Sequence, residues 1–227
     1  MKNELRVGIP DDHYLGMFNS IYSYIALYSG PQLYDSLSYV MDLEQYFAKL
    51  AIDMLLRNGD DTAEIFFYAR EEGEREIFGI HPWDYDDLFQ KPHEIGRAWA
   101  VGTVFGTRVY GSMQDILDDV GDKLIFSIED DLDYKIALDS CLYQCYLEEL
   151  QKVLITIDEN TLELIFSKTQ QDLQPFYERE DIIAQSAYDN MPTNQYLFDE
   201  NLAAKKQLLI NRRDSLLQVI PNHKTRI

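Results

Sequence analysis

The sequence predicts an all-α fold, a multi-helical bundle of about eight helices that ends in a basic helical arm. Three observations predict it. Apolar residues recur at three- and four-residue spacing through most of the chain. Capping residues and Gly or Pro breakers fall between these runs. The stretch Glu94 to Val120 places Ile95, Ala98, Trp99, Gly102, Phe105, Gly106, Val109, Met113 and Ile116 on one helical face.

That stretch reads as the central helix. Ala98, Gly102 and Gly106 are four apart and form a smooth groove. Each interior glycine costs roughly 1 kcal/mol of helix propensity, which a closely packed neighbour offsets. The run Val101-Gly-Thr-Val-Phe leaves a strand as the minority reading.

The other elements follow in order. Asp11 or Asp12 caps a first helix with Phe18, Ile21, Tyr22, Ile25 and Tyr28 inward, stopped at Gly30-Pro31. A longer helix buries Leu33, Leu37, Val40, Met41, Phe47, Leu50, Met54 and Leu55 and closes at Asn58-Gly59. Asp61 caps a third helix through Ile65, Phe66 and Ala69. A long loop from Phe78 to Lys91 precedes the central helix, and loops of that size often serve function or an interface. After a short apolar run at Leu124–Ile128, Asp131 or Asp133 opens a helix through Ile136, Tyr143, Leu147, Leu150 and Leu154. Asn160 caps the next, with Leu162, Ile165, Phe166 and Leu173 inward, broken at Pro175. A short helix spans roughly Glu178 to Tyr188, and Asp199 caps a last one that ends at Pro221. The linker reading of Asp189–Gln195 divides the chain into an acidic body, 1–190, and a linker with a basic arm, 191–227.

The net charge is −20, unevenly spread. Residues 204–227 hold six basic residues (Lys205, Lys206, Arg212, Arg213, Lys224 and Arg226) against Asp214, a net of +5 that leaves −25 for the rest. No segment has the uncharged apolar length of a membrane span, and the start of the chain has no hydrophobic signal core, so a cytoplasmic protein is expected. Cys141 and Cys145 read as reduced core cysteines.

Catalytic signals are weak. No Glu-x-x-His or His-x-x-x-His pair, P-loop, Gly-x-Gly-x-x-Gly or Gly-x-Ser-x-Gly is present. Asp84, Asp86 and Asp87, around Trp83 and Tyr85, are a carboxylate set of the kind that holds magnesium with substrate phosphates, but only Lys91 is near to meet the phosphate. The prevailing reading of this cluster is an exposed loop or interface. Glu71, Glu72, Glu74 and Glu76 read as a charged solvent face. No catalytic, metal or cofactor residue is expected. Sixteen tyrosines, seven of them in the first 46 residues, suit protein interfaces.

The acidic body and basic arm are complementary, so an arm can dock on a neighbour's body in a closed ring. The expected function is therefore a non-enzymatic assembly protein with protein partners, chiefly itself, such as a ring component of a phage head-tail connector in a virion. DNA could pass its acidic surface without specific binding. The alternative is an acidic inhibitor, an immunity protein or nucleic-acid mimic, aimed at a basic toxin or DNA-binding enzyme. A helical metal-dependent phosphohydrolase is the second alternative.

Overall fold

The structure, a computed structural model, describes residues 12–58, 65–82, 85, 88–89, 120–126, 128, 130–183, 192 and 194–225. It is mostly helical, with one two-stranded antiparallel sheet among the described residues. The elements are α1 (Asp12–Leu27), α2 (Gly30–Val40), α3 (Leu43–Leu56), β1 (Ile65–Glu72), β2 (Arg75–Pro82), α4 (Asp131–Leu138), α5 (Ser140–Thr156), α6 (Glu159–Tyr177), α7 (Glu180–Ile183) and α8 (Gln195–Lys224). The proposed central helix, with Ala98, Gly102 and Gly106, lies outside the described residues.

The chain divides into two compact units, Met1–Gln151 with Ile220–Ile227, and Lys152–Val219. In the first, Ile21, Leu33, Leu37, Phe47, Leu50, Leu55, Ile80, Ile136, Tyr146 and Leu147 are almost wholly buried. Phe67 of β1 joins α1 and β2 to this core, with ring centroids 5.7 Å from Phe18 and 5.8 Å from Phe78. Phe47 and Tyr146 bring α3 and α5 together at 6.4 Å. In the second unit, Tyr177 stacks on Phe198 at 4.2 Å, with Ile183 alongside.

The third helix expected from Asp61 is replaced by the β1–β2 hairpin, which pairs Ile65 with Pro82 and Glu72 with Arg75. Gly73 opens the two-residue turn at φ +66°, a conformation glycine adopts without a Cβ clash. The aromatic and β-branched residues of the two strands pair across the turn, and helical spacing within 65–69 carries no record of that partner. The edge of β2 is covered by the start of α3: the Asp42 N–H donates to the Phe78 carbonyl at 2.7 Å, and the Ile80 N–H to Gln45 Oε1 at 2.8 Å.

Other boundaries also move. The long second helix is divided at Met41-Asp42, where the Asp42 carboxylate caps α3 by accepting from the Gln45 N–H at 2.9 Å. Asp139 likewise separates α4 from α5, accepting from the Cys141 and Leu142 N–H groups. Asp158, not Asn160, caps α6 through the Thr161 N–H. Asn194 rather than Asp199 caps α8 through the Leu197 N–H. Neither proline ends its helix: Pro175 and Pro221 sit in the last turns of α6 and α8. Each lacks the N–H that would bond the carbonyl four residues earlier, Gln171 and Leu217, and each helix ends within a turn of its proline. Beyond Pro221 the end is tied down by Lys224 Nζ, which donates to Gln151 Oε1 at 2.8 Å.

Candidate functional site

α3 ends in an unusual way. Arg57 takes the left-handed conformation at φ 57°, and its N–H donates to the Asp53 carbonyl at 2.7 Å. Asn58 follows, wholly buried, with neither amide atom hydrogen-bonded among the described residues. The chain returns to this point after the hairpin: the Phe89 N–H donates to the Leu56 carbonyl at 2.9 Å, and Phe89 is itself at φ 65°. Arg57 and Phe89 are the two non-glycine residues with positive φ among the described residues, and one hydrogen bond joins their neighbourhoods. Such conformations cost about 1–3 kcal/mol each and cluster where ligands are held. Arg57 Nε is also buried without a hydrogen-bond partner.

The sequence around this junction is rich in carboxylates. Gly59-Asp60-Asp61 follows Asn58, and Trp83-Asp84-Tyr85-Asp86-Asp87 precedes Leu88-Phe89. Tyr85 is half-buried. Asp60, Asp61, Trp83, Asp84, Asp86 and Asp87 lie outside the described residues. Among the described residues, no group of three or more His, Cys, Asp or Glu side chains forms a metal-binding cluster.

Beneath α3 lies a buried polar network. Lys49 Nζ approaches Asp53 Oδ2 at 2.9 Å, with both side chains 3 % exposed or less, in an ion pair rather than an aligned hydrogen bond. Tyr46 Oη donates to Asp133 Oδ1 at 2.6 Å, and Tyr22 Oη donates to Asp130 Oδ2 at 2.9 Å. Asp130 Oδ1 caps α4 by accepting from the Leu132 N–H. Burial, and then the neighbouring Asp130 charge, push the Asp133 carboxyl up to about 7, while Lys49 and the Tyr46 hydroxyl pull it down. Both tyrosine hydroxyls are held protonated, first by burial and then by the carboxylates beside them.

The basic arm residues are placed on α8. Lys206 pairs with Glu163 of α6 at 2.7 Å. Arg213 donates from Nε to the Leu154 carbonyl and pairs with Asp214. Lys205 is exposed, Arg212 is half-buried, and Arg226 lies outside the described residues. Cys141 and Cys145 are free and half-buried, and burial pushes the Cys145 thiol up to about 11. That is the wrong direction for a nucleophile. No helix among the described residues is long and apolar enough to cross a membrane.

Sequence reasoning treated Asn58 as an ordinary helix end, read Asp133 only as a candidate helix cap, a role that Asp130 takes, and passed over Lys49 and Asp53. One signal was available: Lys49 and Asp53 sit among Phe47, Leu50, Ala51 and Leu55, and charges on a buried helical face require partners.

A family model described as CotH kinase protein matches residues 6–216. No curated protein and no solved structure matched. The family match overturns the expectation of a non-enzymatic assembly component or virion connector, because it is to a family named for a kinase. Composition misled here: an acidic body with a basic arm describes surface charge, and surface charge does not identify chemistry. Because the match spans all but the first five and last eleven residues, the chain belongs to the CotH kinase family.

Proposed function

We propose that this chain is a phosphotransferase that moves the terminal phosphoryl group of a nucleoside triphosphate to a hydroxyl acceptor, at the α3 end and the two segments flanking the hairpin. The observation that carries this reading, beside the family match, is the junction of Arg57, Asn58 and Phe89. A buried amide without a partner calls for an explanation, and a bound ion or its water supplies one.

Phosphoryl transfer asks for few parts: hard oxygen ligands, a carboxylate to receive the acceptor's proton, and cations for the phosphate charge. Protein kinases take metal ligands from an asparagine in one segment and an aspartate in another. In this chain Asn58 and the Asp84–Asp87 cluster stand on the two sides of the hairpin in sequence. Asn58, Asp84, Asp86 and Asp87 are the residues that would hold magnesium, and Asp60 and Asp61 offer the base. Magnesium, when bound, neutralises charge on the phosphates. Arg57 supplies a second cation beside Lys91, the one basic residue near Asp84 in sequence. The net charge of −20 favours a basic acceptor, such as a Lys/Arg-rich polypeptide carrying serine or threonine.

The test incubates the intact protein with γ-labelled ATP, magnesium and a Lys/Arg-rich peptide containing serine. Label is expected on the peptide or on the protein itself. Asp84→Asn is expected to reduce transfer by at least about a hundredfold. If the intact protein neither binds magnesium–ATP nor transfers label, the reading is wrong.

A further inference from the structure

We propose that the buried network beneath α3 carries a proton on Asp133 at neutral pH, and that release of this proton as pH rises loosens α4 from α3. This inference does not rest on the phosphotransferase reading. Three carboxylates, Asp53, Asp130 and Asp133, are each 3 % exposed or less, and among the described residues Lys49 is the cation that faces them. Its ammonium group is at 2.9 Å from Asp53. Asp130 is compensated by the Tyr22 hydroxyl and the Leu132 N–H, while Asp133 meets the Tyr46 hydroxyl.

Among the described residues, the groups that face Asp133 come from α3, α1 and the turn before α4. Tyr46, Lys49 and Asp53 come from α3, Asp130 from the turn before α4, and Tyr22, which also senses Asp131, from α1. The tyrosines stay protonated across the neutral range, so they give hydrogen bonds and no charge. Like charges that close, out of reach of water, do not all ionise together. The carboxyl with the least compensation keeps the proton. Once it leaves, the added charge on α4 repels Asp53 of α3 and loosens the two helices.

The sign of the effect follows from linkage. A carboxyl held near 7 in the folded chain and near its ordinary 3.8 when unfolded keeps its proton longer when folded. Its stabilising effect is complete below the unfolded value, declines as pH rises through the folded value, and is gone above it.

Thermal unfolding of the full chain and of Asp133→Asn, at pH about 5.5 and about 8, reads this directly. Asparagine keeps an oxygen for Tyr46 and removes the ionisation. The variant is expected to match the parent at the lower pH and to melt at least about 4 °C above it at the higher. Parallel behaviour at the two pH values would overturn the proposal. Should the variant not fold, carboxyl-carbon NMR of the aspartate-labelled parent decides. One carboxyl titrating between about pH 6 and 8 supports the proposal, and titration of every carboxyl below about pH 5 overturns it.

Discussion

Lys49–Asp53 in the first unit and Lys206–Glu163 in the second are both ammonium–carboxylate contacts, at 2.9 and 2.7 Å. Their surroundings differ. The first pair is sealed, whereas Glu163 keeps 63 % of its side chain in water. In water the attraction is screened and each partner is well solvated when apart. In the interior each charge has given up hydration and depends on the other. Contact distance therefore says little about energy, and what surrounds the contact says most. The same contrast separates the two units: the first carries buried charge and strained backbone beside its core, and the second is held by a small aromatic cluster and exposed pairs.

The largest expected effect tests the sealed pair. Lys49→Met leaves Asp53 buried without its cation and should lower stability by about 3–5 kcal/mol. Urea unfolding at neutral pH measures it. The double variant Lys49→Met/Asp53→Leu should recover most of that loss, because it removes both charges and keeps the volume. If the single variant is as stable as the parent, the pair is not the buried charge described above.

Phe198→Ala comes next. It removes the ring stacked on Tyr177 and should cost about 3 kcal/mol, by transfer and cavity terms. Loss of the Tyr177 near-ultraviolet signal should accompany it. The effect should not depend on pH near neutrality, in contrast to changes at Asp133.

Helical periodicity read the first unit's apolar faces well. Phe18, Ile21, Tyr22 and Ile25 of α1, and Leu33, Leu37 and Val40 of α2, are buried as their spacing predicts. It did worse on α6, where Ile165 and Leu173, expected inward, are 51 % and 41 % exposed. A pattern marks a face, and only packing decides whether anything covers it. The hairpin was missed because Phe67 and Ile80 become partners only across the turn. Of the buried network, Lys49 and Asp53 left a local signal, but its link to α4 did not: Tyr46 and Asp133 are 87 residues apart, and no local rule joins them. Of the candidate site, the sequence marked the Asp84–Asp87 cluster but read it first as an exposed loop or interface. It did not show that Phe89 returns to Leu56, which ties that segment to Asn58.

A smaller effect is expected at the hairpin turn. Gly73 is at φ +66° with open space where a Cβ would stand. Gly73→Ala therefore meets no neighbour and carries only the backbone penalty of the left-handed region, about 1 kcal/mol. Gly79→Ala differs, since its Cβ would fall 2.5 Å from the Tyr68 ring across the hairpin. Tyr68 is 44 % exposed and can swing aside. Two alanine variants of similar size would thus separate backbone strain from displaced contact, read as melting temperature against Tyr68 mobility by NMR.

The smallest effect belongs to the exposed pair. Lys206 lowers the Glu163 carboxyl below its ordinary value, first by hydrogen bonding. The linked stability is present above the unfolded value and is lost as pH falls through the folded one, opposite in sign to Asp133. Because Glu163 stands in water, Lys206→Ala should leave the melting temperature within experimental error at neutral pH and physiological salt. Measuring it at about 10 mM and about 500 mM salt sharpens the contrast. Any loss at low salt should vanish at high salt, whereas the loss in Lys49→Met should persist, because ions cannot enter to screen a sealed pair. A salt-independent loss at Lys206 would mean that the α6–α8 contact there is drier than its exposure indicates.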